Sequence, residues 1–117
     1  MKENVVKNKS FQFAVRIVKL YQFLVNEKKE YVLSKQLLRS GTSIGANIEE
    51  ADSGQTKKDF IAKLSISLKE AKETHYWLRL IFECDYLEQK MYKSFIDDCE
   101  ELIMLLTSII KTSRQNL

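Results

Sequence analysis

The scarcity of helix-breaking residues constrains the fold of this chain more than any other feature. The 117 residues include no proline, and the three glycines, Gly41, Gly45 and Gly54, all fall in one stretch. Proline inside a helix removes a backbone hydrogen bond and clashes with the preceding turn, and glycine costs about 1 kcal/mol of helix propensity relative to alanine. A chain almost free of both residues can form long helices, which predicts an all-α fold.

Apolar residues recur at spacings of three and four in four segments, as they do in amphipathic helices. The first segment runs from Ser10 to Lys28 and the second from about Leu33 to Asp52. Thr56 with Asp59 resembles a capping box and opens the third segment, and the fourth follows the sequence CDYLE. The apolar arc expected for the first helix comprises Phe11, Phe13, Ala14, Ile17, Val18, Leu20, Tyr21, Leu24 and Val25.

The connections between these segments contain only a few residues, so consecutive helices have to run in opposite directions. Each helix can bury its apolar side only against the other three. The sequence therefore predicts one domain over residues 1–117, an antiparallel up-down-up-down four-helix bundle.

Two features of the second segment bear on packing. Gly41 and Gly45 form a small ridge beside the apolar stripe, at which another helix can approach closely; alternatively, they mark a kink or a break. A separate face carries Arg39, Ser43, Asn47 and Glu50. We expect those four side chains to form one hydrogen-bonded stripe that holds helices or subunits in register.

A second apolar strip lies on the third segment, away from its core stripe. It contains Ile66, Trp77, Leu80 and Cys84. A helix that is apolar on two sides is either central in a larger core or part of an interface, and a bundle of only four helices favours an interface. The expected interface residues are Gly41, Gly45, Ile66, Trp77 and Leu80.

Positive charge is concentrated in the first third of the chain. Residues 1–39 contain nine Lys or Arg against three Asp or Glu, whereas residues 40–117 contain ten against thirteen. Such a basic surplus attracts nucleic acid, acidic proteins or anionic surfaces. The same residues also serve simply to keep the first helix soluble. The candidates for phosphate contact are Arg16, Lys19, Lys28, Lys29 and Lys35.

The sequence does not indicate catalysis, a metal or a cofactor. His75 is the only histidine, and a di-iron type bundle site needs Glu-x-x-His on two helices. We expect His75 to be hydrogen-bonded to a neighbouring carboxylate. Cys84 and Cys99 have no CxxC spacing and indicate buried thiols in a reducing compartment more than a disulfide. No apolar run is long enough to span a membrane and no signal peptide is evident, which predicts a cytoplasmic protein.

Two sequence blocks resemble a known family. They are LLRSGTSIGANIEEA in the second segment and DFIAKLSISLKEAKETHYWLRL, followed by DYL, in the third. In this order they are similar to the small four-helix bundle proteins encoded in intervening sequences of bacterial 23S ribosomal RNA genes. The matching positions are Arg39, Ser43, Ile44, Asn47, Ile48 and Glu50, and Glu70, Glu73, Tyr76, Trp77 and Leu78. Where many relatives have Glu-Gly after the Asn-Ile pair, this chain has EEADSG.

The resemblance implies a homopentameric ring without known catalysis. A related group, the accessory variability proteins of diversity-generating retroelements, is associated with nucleic acid and a reverse transcriptase. We therefore expect a non-enzymatic homo-oligomer that partners with itself and binds structured RNA or DNA through its basic surface, without a membrane. The alternative is an assembly scaffold or adaptor whose partner is another protein.

Overall fold

A computed structural model of the chain describes residues 2–117, which form four helices joined by short connections. The helices are α1 (Lys2–Asn26), α2 (Leu33–Asp52), α3 (Lys57–Glu83) and α4 (Gln89–Gln115). No strand is present in residues 2–117, so the predicted all-α class is confirmed. The first helix begins eight residues earlier than Ser10, because Val6 is buried on the same side as Phe13.

Contacts between neighbouring helices establish the antiparallel topology. As residue numbers increase along one helix, the residues that they contact on the next helix decrease in number. The fourth helix, α4, packs against α1 as well as α3. The pairs are Lys7 with Asp52, Ile17 with Gly41, Glu50 with Lys63, Ser40 with Thr74, Ala71 with Cys99, Phe82 with Tyr92, Lys9 with Glu101 and Arg16 with Ser94. The chain therefore runs up, down, up and down around one core, to which all four helices contribute.

Small hydroxyl side chains join α2 and α3 inside the bundle. The Ser67 Oγ donates a hydrogen bond to the Ile44 carbonyl at 2.8 Å, and the Thr74 Oγ1 donates to the Ser40 Oγ at 2.9 Å. Ser40, Ser67 and Thr74 are fully buried. Because a buried polar group left unpaired costs about 1 to 3 kcal/mol, these bonds specify the register of the two helices.

The glycines of α2 allow α1 to approach closely. The helix runs unbroken through Gly41 and Gly45, so the alternative of a break is wrong. A Cβ atom at Gly41 would lie 2.9 Å from both Cγ atoms of Ile17, and one at Gly45 would lie 3.4 Å from the Ser10 backbone oxygen. The ridge is therefore a helix contact inside the chain, and its two glycines are buried rather than presented to another subunit.

Part of the apolar arc expected for α1 faces outward. Phe11 is 65% exposed and Val18 is also exposed, whereas Phe13, Ile17 and Leu20 are buried. The buried side of α1 is narrower than the predicted arc because α1 contacts only two neighbours, α2 and α4. Two neighbouring helices cover a narrower side of α1 than three neighbouring helices would cover.

The carboxylate of Glu30 caps α2. Its Oε2 accepts hydrogen bonds from the backbone N–H groups of Val32 and Leu33 at 3.0 and 2.9 Å, and its Oε1 accepts from that of Ser34 at 2.6 Å. These are among the unpaired amides that begin every helix. The Thr56 cap predicted for α3 is confirmed, because its Oγ1 accepts from the Asp59 N–H at 3.0 Å.

We predict opposite effects from alanine at the two helical glycines. Gly41→Ala forces its new methyl group onto the branched Ile17 side chain and should cost about 1 to 3 kcal/mol of unfolding free energy. Gly45→Ala meets only ordinary contact distances and should gain up to about 1 kcal/mol from helix propensity. Urea unfolding at one fixed protein concentration, followed by circular dichroism, measures both. Equal effects of the two changes would contradict this packing.

Glu30→Gln should destabilise the protein by about 0.5 to 2 kcal/mol near neutral pH, the usual range for losing a cap. Glu30 is only 8% exposed; burial raises its pKa, but the bonds from Leu33, Ser34 and Val32 outweigh burial and hold the pKa below its ordinary value.

The pKa of Glu30 is lower in the folded state than in the unfolded state, so its stabilising contribution is complete above the unfolded pKa of about 4.3. It is lost as the pH falls through the folded pKa. Unfolding curves of both proteins should therefore converge in acid. A stability difference that does not change with pH would contradict the capping role.

Candidate subunit and nucleic-acid interface

Arg39 links α2 to α3 through two carboxylates. Its Nη1 donates to the Glu70 Oε2 at 3.0 Å, and its Nη2 pairs with Glu73. The indole Nε1 of Trp77 donates to the same Glu73 carboxylate at 3.0 Å. These four residues, hereafter the Arg39 cluster, hold a tryptophan ring against the outer edge of the α2–α3 contact.

Hydrogen bonding shifts the titration of the Arg39 cluster. The bond from Trp77 lowers the pKa of Glu73, and Arg39 adds to that effect, although partial burial acts in the opposite direction. The bond to Glu73 in turn raises the pKa of Arg39. Both groups are therefore held in their charged forms, which suits a structural ion pair and not a general acid or base near neutral pH.

The other members of the polar stripe divide between two roles. Glu50 pairs with Lys63 of α3 at 2.8 Å. The Ser43 Oγ donates to the Arg39 carbonyl at 2.6 Å, and the Asn47 Nδ2 donates to the Ser43 carbonyl at 2.8 Å, both within α2. Arg39 and Glu50 thus connect α2 to α3. Ser43 and Asn47 lie half-buried on α2, between Arg39 and Glu50 along the helix.

The apolar strip predicted on α3 is only partly open to solvent. Ile66 is 45% exposed, whereas Trp77 and Leu80 are half-buried and Trp77 packs against the core. Tyr76, which is 49% exposed, meets the Trp77 ring edge-on at 5.0 Å between centroids. Ile66 and Tyr76 therefore offer more free apolar surface than Trp77 does.

A second exposed apolar strip, on α1, was missed. Phe11, Val15 and Val18 are all exposed, and their spacing of four and three residues places them along one side of the helix. The signal was present in the sequence as a second apolar series beside Phe13 and Ile17. Because the predicted apolar arc of α1 includes Phe11 and Val18, the sequence alone does not separate this exposed series from the buried one.

The five candidate phosphate contacts separate into two groups. Arg16 is engaged within the fold: it pairs with Asp98, its Nη2 donates to the Ser94 Oγ at 2.8 Å, and its guanidinium lies 4.0 Å from the centre of the Phe95 ring. The other four are exposed and make no ion pair in residues 2–117; they are Lys19, Lys28, Lys29 and Lys35.

Two of the groups considered for catalysis or metal binding, His75 and Cys99, have structural partners. The His75 Nε2 lies 3.0 Å from the Glu100 Oε2, which confirms the expected carboxylate contact. Burial raises the pKa of the Cys99 thiol to about 12, and its Sγ donates to the Ala71 carbonyl. Cys84, which we expected to be buried, is exposed. Within residues 2–117 no group of three or more His, Cys, Asp or Glu side chains could hold a metal ion.

Comparisons with known proteins find a family model and a solved structure that match this chain. The family model for the 23S rRNA-intervening sequence protein matches residues 2–108, which include both sequence blocks that carried the resemblance. A crystal structure of a protein with unknown function from the S23 ribosomal protein family of Bacteroides thetaiotaomicron VPI-5482 superposes with a TM-score of 0.94. The two chains are 61% identical over 95% of this chain and 99% of that one. No curated protein matches the chain.

Trp77 is the only tryptophan, so its fluorescence reports on the Arg39 cluster. We predict that the emission stays constant as the pH is lowered to about 4.3, the ordinary range for glutamate, and changes only below it, when Glu73 takes up a proton. Glu73→Gln should remove this transition. A midpoint at or above the ordinary glutamate pKa would show that the Trp77 and Arg39 contacts do not hold the carboxylate ionised.

Proposed function

The chain belongs to the family of 23S rRNA-intervening sequence proteins, and we propose that it is a non-enzymatic homo-oligomer that binds nucleic acid, structured RNA or DNA. The proposed contact surface, hereafter the basic end, comprises Lys19, Lys28, Lys29 and Lys35. Lys28 and Lys29 lie in the connection between α1 and α2, and Lys35 lies in the first turn of α2.

One observation carries the proposal: cations of the first third differ in whether an acidic side chain neutralises them. Lys7 pairs with Glu49 and Asp52, Lys9 with Glu101, and Arg39 with two glutamates. The basic end has no such partners in the described part of the chain. Its ammonium groups are therefore available for phosphate.

The expected binding mode depends on charge and not on base sequence. The basic end has no helix set apart for entry into a groove, and lysine ammonium groups contact phosphates without reading bases. The affinity of a single subunit for nucleic acid should be weak. Several copies in one oligomer would raise the overall affinity, because the second and later contacts become intramolecular.

Exposed apolar surface supports the homo-oligomer, for which the family resemblance favours a pentamer. The α1 strip of Phe11, Val15 and Val18 is exposed, and so is Ile66 of α3, a helix that does not contact α1 within the bundle. A ring needs two different surfaces on each subunit, because each subunit contacts one neighbour with one surface and the other neighbour with the second.

An assembly scaffold or adaptor is the second candidate function. The same α1 strip favours it, since an unpaired apolar series at helical spacing can accept the apolar side of a partner helix. In that case the partner would bind the strip in place of a second copy of this chain. Neither candidate needs catalysis, in keeping with the structural partners of His75 and Cys99.

We predict that Lys28→Glu with Lys35→Glu weakens binding of a labelled RNA and reduces the dependence of affinity on salt. Each lost phosphate contact should lower the slope of log affinity against log salt by about 0.7 to 0.9. The matched control is Lys57→Glu with Lys58→Glu, which changes the charge equally at the start of α3. Arg16 stays unchanged, because its contacts hold α1 to α4.

Fluorescence anisotropy across a salt series measures both variants against the unchanged protein. The test variant should lose affinity to the same extent for every RNA or DNA sequence. If the unchanged oligomer binds no nucleic acid at low salt, the proposal fails and the scaffold becomes the better account. If the control loses as much affinity as the test variant, the basic end is not the contact surface.

A further inference from the structure

A second group of unpaired cations lies along the contact between α3 and α4, across the bundle from the α1–α2 contact. Lys72, His75 and Arg79 of α3 line a groove of about 490 Å³ with Glu100, Ile103 and Met104 of α4. One helical turn further along, Leu68 of α3 and Lys111 and Arg114 of α4 line a second groove of about 390 Å³. Both are parts of one surface, hereafter the α3–α4 groove.

Charge in this groove is predominantly positive. Lys72, Arg79, Lys111 and Arg114 are exposed, and none of them makes an ion pair within the described residues. The one carboxylate among the lining residues is that of Glu100, and it already contacts the His75 Nε2 at 3.0 Å. Net charge along the sequence does not indicate this group of cations, because residues 40–117 contain more acidic than basic residues overall.

Apolar and aromatic side chains lie among the cations. Tyr76 is 49% exposed, and Arg79 lies over its ring at 5.8 Å from the centroid. Met104 is 71% exposed and lines the groove. Unpaired cations beside an exposed aromatic ring are the combination that binds single-stranded nucleic acid, because phosphates contact the cations and bases stack on the ring.

We propose that the α3–α4 groove binds single-stranded nucleic acid, with Lys72, Arg79, Lys111 and Arg114 on the phosphates and Tyr76 against a base. The proposal rests on the proposed function for the class of ligand, but it assigns a separate surface and a preference for single strands. From Arg79 to Lys72 and on to Arg114 the groove follows roughly 20 Å of helix. A duplex hides its base faces within the stack, so Tyr76 discriminates between the two forms.

The test uses the full-length protein, a labelled single-stranded oligonucleotide of mixed sequence and the duplex of that sequence. Lys72→Gln with Lys111→Gln should lower the salt slope for the single strand by about 1.4, from two lost contacts at about 0.7 each. Lys58→Gln with Lys90→Gln is the control, since these exposed lysines line neither groove. Tyr76→Leu should weaken single-strand binding by about ten-fold and leave duplex binding unchanged.

Three outcomes overturn the proposal in different ways. Suppose that Lys72→Gln with Lys111→Gln changes neither the salt slope nor the affinity, while Lys28→Gln with Lys35→Gln changes them. The α3–α4 groove is then not the binding surface, and the basic end is. If Tyr76→Leu affects both ligands equally, the strand preference is wrong. If the unchanged protein binds a polyglutamate peptide but neither oligonucleotide, both this proposal and the proposed function fail. Every replaced side chain is exposed, so circular dichroism should show unchanged helix content in all variants.

Discussion

The close approach of two helices to α2 determines the rest of the structure. On one side Gly41 leaves room for the branched Ile17 of α1, and on the adjacent side Ser40 hydrogen-bonds to Thr74 of α3. Consecutive residues of one helix thus serve two different contacts. Because neither position has a bulky side chain, α1 and α3 both pack near the α2 backbone, and the Arg39 side of α2 is left at the surface beside α3.

Pairing, more than the number of charges, separates structural from available cations in this protein. Arg16 and Arg39 each connect two helices through acidic partners, and such contacts restrict a side chain to the fold. The lysines of the basic end and the cations of the α3–α4 groove have no acidic partner in residues 2–117. Net charge along the sequence could identify only the first of these two surfaces, since carboxylates elsewhere on α4 mask the second.

Much of the fold could be predicted from the sequence because helix periodicity is a local signal. The bounds of α2, the Thr56 cap and the antiparallel order all follow from spacing and connection length. The width of the buried face of α1 did not follow, because it depends on how many helices contact α1. The Glu30 cap was missed because the carboxylate reaches forward to the amides of α2 from the preceding turn, two residues before the N-cap position Val32.

The candidate site was harder to predict, because it depends on which side chains pair across helices. The polar stripe was correctly placed on one side of α2, yet only the structure shows that Ser43 and Asn47 bond within α2. Within residues 2–117 there is no helix that is both long enough and apolar enough to cross a membrane. The proposed function depends on exposed charge and on exposed apolar strips, and these surfaces act together only in an oligomer.

The most direct test of a nucleic-acid-binding homo-oligomer is the mass and absorbance of the untagged protein purified at low salt. Size-exclusion chromatography with light scattering and detection at 260 and 280 nm gives both. We expect one oligomer that carries nucleic acid and releases it at high salt without dissociating into subunits. A monomer free of nucleic acid, or a complex with a stoichiometric second polypeptide, would contradict it.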